Sequence, residues 1–280
     1  MRTHELRCLG PHGFHRLTYY EWGDVANPRV VVCVHGLTRN GRDFDTLARA
    51  LAEQLRVICP DVAGRGVSQW LSHKQDYGYP IYLADMATLI ARTGADQVDW
   101  VGTSMGGLIG MMLAAQLQTP IRRLLMNDVG PFIPRAALER LAMYVGKAPR
   151  FATLDELERY LRFVLEPFGA LTDEQWRHLA THSSRQSDDG SFGMCYDPAI
   201  ADAFAGSLQD VVLWPIWDAI RCPTLVLRGK ESDLLLRGTA EEMTRRGPQA
   251  QLLEFAGIGH APALMADDQI AAVRDFLLMH

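Results

Sequence analysis

The sequence predicts an α/β fold: a mostly parallel central sheet flanked by helices, with one inserted helical unit. Two patterns carry this reading. Short apolar runs alternate with helix-like stretches through the first half of the chain, and the rhythm breaks between about 131 and 213, where no β-branched run occurs. A third observation, a glycine-flanked serine directly after one of the apolar runs, places chemistry on that frame.

The elements follow in order. Val30 to Val34 reads as a buried strand that ends in His35-Gly36, and Phe44, Leu47, Ala48, Leu51 and Leu55 then recur at helical spacing. Arg56 to Cys59 is the next strand. A glycine-rich loop, Asp61 to Gly66, precedes a helix over Ile81 to Ala91, and Val98 to Val101 and Arg123 to Met126 are two more strands. Within the inserted stretch, Thr153-x-x-Glu156 and Thr172-x-x-Gln175 match the capping-box pattern, and Leu154, Leu157, Leu161, Val164 and Leu165 form one apolar stripe suited to core packing. Strand character returns at Thr224 to Leu227 and at Gln251 to Phe255, and a helix over Asp268 to Leu278 closes the chain. The expected organisation is a core built from 1–130 and 214–280, with a helical cap over 131–213.

Composition narrows the partners. The chain has 280 residues, 48% hydrophobic and 22% charged, which argues against disorder. Its net charge of −5 supplies no basic field for nucleic acid. The five cysteines are odd in number and scattered, and MRTHELRCLG contains no apolar h-region, so a reducing cytoplasmic setting is expected. Trp100 to Ile121 carries no charge, yet it contains Thr103, Ser104, Gln116, Gln118, Thr119 and Pro120 and divides into strand, turn and buried helix. No membrane span is expected, and the sequence leaves the oligomeric state open.

The chemistry centres on Gly102-Thr103-Ser104-Met105-Gly106, a G-x-S-x-G pattern between the strand Val98 to Val101 and the apolar stretch Leu108 to Leu117. A serine on a sharp strand-to-helix turn needs small neighbours so that the flanking backbones can approach, and Gly102 and Gly106 meet that need. The helix beyond it aims unpaired N–H groups at developing negative charge, which makes the Met105 N–H an oxyanion donor. His35-Gly36-Leu37-Thr38, at the end of the first buried strand, offers the Leu37 N–H as the second donor, with His35 ordering that loop.

A neutral serine needs a base, and the base needs an acid to fix its tautomer. Of nine histidines, His178, His182, His260 and His280 follow Ser104. His260 alone lies in a glycine-rich loop after a late strand, whereas His178 and His182 read as solvated helix positions and not as a metal site. For the acid, Asp233 follows the strand Thr224 to Leu227 and is the first choice. Asp128, which also ends a strand, is the main rival, and Glu231 is a weaker one. Phe132, Tyr144, Phe151, Trp214 and Trp217 are candidate pocket walls. No metal or other cofactor is called for.

With these pieces in order, the chain resembles the α/β-hydrolase superfamily over nearly its whole length. His35-Gly36-Leu37-Thr38-Arg39-Asn40, Asp61-Val62-Ala63-Gly64-Arg65-Gly66-Val67-Ser68 and Asn127-Asp128-Val129-Gly130-Pro131 are similar to a bacterial branch described broadly as esterases. The resemblance implies a triad of Ser104, Asp233 and His260, oxyanion donors at Leu37 and Met105, and hydrolysis of a small carboxylic ester or lactone through an acyl-enzyme. Haloalkane dehalogenases and epoxide hydrolases carry an aspartate where this chain has Ser104, and hydrolases of carbon–carbon bonds often carry a tryptophan where it has Ala261. Cofactor-free perhydrolases share the triad. A small-molecule receptor on the same fold, with a weak site, is the alternative of a different class.

Overall fold

The computed structural model describes residues 1–204, 206 and 208–279. Its central sheet begins with a hairpin of β1 (Arg2–Gly10) and β2 (Gly13–Trp22). Then follow β3 (Val30–Val34), α1 (Asp45–Leu51), β4 (Arg56–Asp61), α2 (Tyr79–Thr93), β5 (Val98–Thr103), α3 (Met105–Ala114) and β6 (Ile121–Asn127). Every expected strand and helix of this stretch is present, with ends shifted by a few residues; the first helix stops at Leu51, short of Leu55.

After β6 the chain leaves the sheet. The excursion holds β7 (Phe132–Ile133), α4 (Arg135–Ala142), β8 (Arg150–Phe151), α5 (Leu154–Val164), α6 (Asp173–Ser183), β9 (Ser184–Gln186), β10 (Phe192–Met194) and β11 (Val211–Val212). It is less purely helical than its sequence suggests, since β8, β10 and β9 form a small antiparallel sheet. Its two ends meet, because Val212 pairs with Phe132 and Val211 with Ile133, and the Leu213 N–H donates to the Pro131 carbonyl at 2.6 Å. Thr172 makes the full capping box with Gln175, whereas at Thr153 only half forms: its hydroxyl accepts from the Glu156 N–H, and the Glu156 carboxylate turns to the Ala152 N–H. Leu157 and Leu161 of the apolar stripe are buried against Phe151, Leu154, Leu165 and Phe192. The chain then returns through α7 (Trp214–Ala219), β12 (Thr224–Gly229), α8 (Arg237–Met243), β13 (Gln251–Phe255) and α9 (Asp267–Leu278).

The sheet order is β1-β2-β4-β3-β5-β6-β12-β13, parallel from β4 to β13, with the N-terminal hairpin added antiparallel at one edge. Val30–Val34 is buried throughout because both faces are covered. One core layer lies under α1 and α9, with Leu47, Leu51, Val273 and Phe276; the other lies under α2 and α3, with Met86, Leu89, Ile109 and Met111. Among the described residues no helix is long and apolar enough to cross a membrane. The parallel strands all point their C-terminal ends the same way, and the loops leaving β3, β5, β6 and β12 converge there.

Candidate active site

Ser104 sits between β5 and α3 with φ 52° and ψ −115°, a left-handed conformation that a side chain adopts only when its surroundings enforce it. The enforcement comes from two glycines. A Cβ on Gly102 would lie 2.3 Å from the Gly106 carbonyl carbon, and one on Gly106 would lie 2.0 Å from the Val34 carbonyl oxygen, so the first turn of α3 presses directly on β3 and β5. The Ser104 carbonyl accepts the Gly107 and Leu108 N–H groups at 2.9 and 3.1 Å, which starts the helix and leaves the Met105 N–H among the unpaired groups of its first turn.

The loop after β3 lies against this serine: a Cβ on Gly36 would stand 3.6 Å from the Ser104 Cβ. His35 orders the loop, as its position in the sequence suggests. Its Nδ1–H donates to the Gly36 carbonyl at 2.7 Å and its Nε2 accepts the Val62 N–H at 3.0 Å. Full burial pushes its pKa down to about 3, so the ring is neutral at working pH. The Gly36 carbonyl and the Leu37 N–H belong to one trans peptide and point in opposite directions, so fixing the first aims the second.

His260, after β13, reaches Ser104: its Nε2 accepts from the Ser104 hydroxyl at 3.0 Å. On its other side the Nδ1–H donates to Asp128 Oδ2 at 2.7 Å. Asp128 directly follows β6 and is wholly buried, with the left-handed backbone φ 55°. Its remaining valences are filled, Oδ1 by the Gly229 N–H at 2.9 Å and Oδ2 also by the Ser232 hydroxyl at 2.5 Å. Every polar atom of the carboxylate therefore faces a donor, and the imidazole is held in one tautomer and one orientation.

This corrects the expected acid. Asp233 turns away from His260, its side chain is half exposed, and it forms a two-bond ion pair with Arg140 at 2.5 and 3.0 Å. The loop after β12 contributes Ser232, one residue earlier, as a donor to Asp128. Glu231 accepts from the Gly257 and Ile258 N–H groups and braces the His260 loop.

The expected pocket walls divide. Trp217 is wholly buried, its Nε1–H donates to the Arg246 carbonyl, and Trp214 carries the Arg246 guanidinium 4.5 Å from its ring centroid. Both lie on α7 against the segment that precedes β13, and are corrected from pocket walls to packing residues, Trp217 in the core and Trp214 beside it at the surface. Phe151 packs beside Tyr160 within the excursion. Phe132 is half-buried in the β7–β11 ribbon, and Tyr144 is half-buried beside Arg140. Phe168, not singled out by the sequence, joins Gly36, Thr103, Pro262 and Ala263 around a cavity of about 20 Å³ next to the serine turn, and the Gly259 N–H donates to the Pro167 carbonyl at 2.7 Å. A turn of three residues gives no periodic signal by which it could have been found.

His178 and His182 are half-buried and tied to the segment after β3, not freely solvated. His178 Nε2 donates to the Arg42 carbonyl at 2.9 Å, and Asn40 Nδ2 donates to the His182 carbonyl. The Asp45 carboxylate near them is already taken by Arg42. His280 lies outside the described residues.

A serine on a strained turn, an imidazole within reach of its hydroxyl and a buried carboxylate behind the imidazole match the layout of a hydrolase. Comparison agrees. Residues 31–273 match the model of the alpha/beta hydrolase family. The chain is 49% identical over 280 residues to a 3-hydroxybutyrate-oligomer hydrolase of Cupriavidus necator, covering 97% of this chain and 96% of that one. It is 28% identical to a 2-hydroxy-6-oxo-2,4-heptadienoate hydrolase of Pseudomonas putida, over 85% of this chain and 84% of that one. A crystal structure of an alpha/beta hydrolase from Novosphingobium aromaticivorans superposes with a TM-score of 0.86 at 36% identity, over 98% of both chains. The chain belongs to the alpha/beta hydrolase family and is a hydrolytic enzyme.

Proposed function

We propose that this enzyme hydrolyses the ester bonds of short 3-hydroxybutyrate-type oligomers through an acyl-enzyme on Ser104. The observation that carries the reading is the unbroken contact from Ser104 Oγ through His260 to Asp128, at 3.0 and 2.7 Å. The substrate class rests on the nearly full-length similarity to the Cupriavidus necator hydrolase.

Ser104 Oγ attacks the ester carbonyl as His260 Nε2 takes its proton, and the buried Asp128 carboxylate stabilises the imidazolium through Nδ1–H. The N–H groups of Leu37 and Met105 hold the oxyanion. Collapse expels the hydroxyl end of the oligomer, which receives the proton from His260. Water, activated by the same nitrogen, then releases the acid and restores Ser104. The 131–213 excursion acts as a cap, with Phe168 over the serine turn shaping the acyl side. Incubation with the linear trimer, followed by chromatography, should show dimer and monomer accumulating. Ser104→Ala should abolish this while leaving the melting midpoint in place. An intact protein that leaves the trimer unchanged, or an active Ser104→Ala, refutes the reading.

A further inference from the structure

Among the described residues three arginines are buried: Arg39, Arg65 and Arg228. Arg39 is neutralised by Asp43 and Arg228 by Glu254. Arg65 is wholly buried, and its guanidinium meets only neutral groups. Nε–H donates to the Leu37 carbonyl at 2.9 Å, Nη1 donates to the Ala63 carbonyl and the Tyr82 hydroxyl, each at 2.8 Å, and Nη2 lies 3.5 Å from Met105 Sδ. The Tyr82 and Tyr77 rings flank it, with centroids 4.9 and 5.9 Å away. Among the described residues no carboxylate pairs with it.

Two of those contacts fall on the residues proposed to bind the oxyanion. Leu37 is held from both sides: the peptide that carries its N–H is fixed at the Gly36 carbonyl by His35, and its own carbonyl is fixed by Arg65. Met105, whose N–H is the other donor, has its side chain against the same guanidinium. A guanidinium keeps its charge at any working pH, and leaving it buried without a counter-ion disfavours the resting protein. That penalty shrinks whenever negative charge forms nearby in a water-poor setting, as it does in a tetrahedral intermediate.

We propose that Arg65 is a positioning residue that sets both oxyanion donors and supplies them with an unneutralised positive charge, favouring the tetrahedral species without touching the substrate. This rests on the serine-ester reading above. The test therefore uses a trifluoromethyl ketone, which adds to the serine as a tetrahedral oxyanion, alongside a non-reacting ether analogue of the substrate.

Arg65→Met should lower kcat roughly tenfold to a hundredfold, comparable to the loss of an oxyanion donor, with KM within about twofold. Affinity for the ketone should fall by the same factor while affinity for the ether holds. Arg65→Lys keeps the charge but cannot reach Leu37, Ala63, Tyr82 and Met105 together, so it should lie between wild type and Arg65→Met in both kcat and ketone affinity. A folded Arg65→Met with wild-type kcat, or one that loses ketone and ether affinity equally, overturns the proposal. If Arg65→Met does not fold, a wild-type ketone affinity in Arg65→Lys overturns it instead. Ketone binding is read without turnover, so a failure of the substrate assignment appears separately, as trimer left intact by a wild-type enzyme that still binds the ketone.

Discussion

At the scale of single residues, the acid position shows how a buried carboxylate is chosen. Both Asp128 and Asp233 satisfy the required chain order, and both follow parallel strands. What separates them is the company they keep. Asp128 is wholly buried with three donors on its two oxygens, whereas Asp233 shares its charge with Arg140 at the surface. Asp128→Asn should therefore cost about 10⁴-fold in kcat by offering His260 the wrong hydrogen-bonding partner. Asp233→Asn, which breaks only a partly exposed pair, should stay within about threefold of wild type. Steady-state kinetics on one short ester distinguishes the two, and an inactive Asp233→Asn beside an active Asp128→Asn would reverse the assignment. Ser104 and His260 were legible because glycine spacing and loop position are written in the sequence. Which carboxylate meets His260 was not, because the reach from β6 or β12 to the imidazole depends on the path of the intervening loop in space.

At the scale of elements, legibility follows burial. The strands β3, β5 and β12 announce themselves as apolar runs because helices cover both their faces. The β1–β2 hairpin carries no such signal. β1 lies at the sheet edge with mostly exposed side chains, and what defines it is a register from Arg2 opposite Glu21 to Gly10 opposite Gly13. The strands of the excursion, two or three residues each, are too short to show a period. Its helices α5 and α6 were legible through their caps, and α6 offers a direct measure. Thr172 and Gln175 exchange hydrogen bonds at 3.2 and 2.8 Å, so Thr172→Ala should destabilise the protein by about 1 kcal/mol in urea unfolding. Thr153→Ala likewise removes one hydroxyl acceptor, and with no reciprocal bond to its own N–H to loosen it should cost no more than Thr172→Ala.

At the scale of the whole molecule, buried titratable groups make stability depend on pH. Burial lowers His35 to about 3 and, with Arg42 and His178 nearby, His182 to about 4. Below pH 6.5 the unfolded chain takes up protons that these folded imidazoles refuse, so stability from both is complete above 6.5 and declines as pH falls. Asp61 works in the opposite sense: burial raises it to about 6, so its contribution is full below about 4 and disappears as pH rises through 6. His35, fully buried, should account for about 2 kcal/mol of the difference between pH 7 and pH 5. In His35→Gln, whose amide can both donate and accept, urea unfolding at the two pH values should differ by correspondingly less, and an unchanged acid dependence would show that His35 charges in the folded state. The paired ends of the excursion carry a last implication. Because Phe132–Ile133 and Val211–Val212 lie side by side, the chain departs from and rejoins the sheet at one point. A longer, shorter or different stretch could join the same two ends without displacing the strands that lead into Ser104, Asp128 and His260.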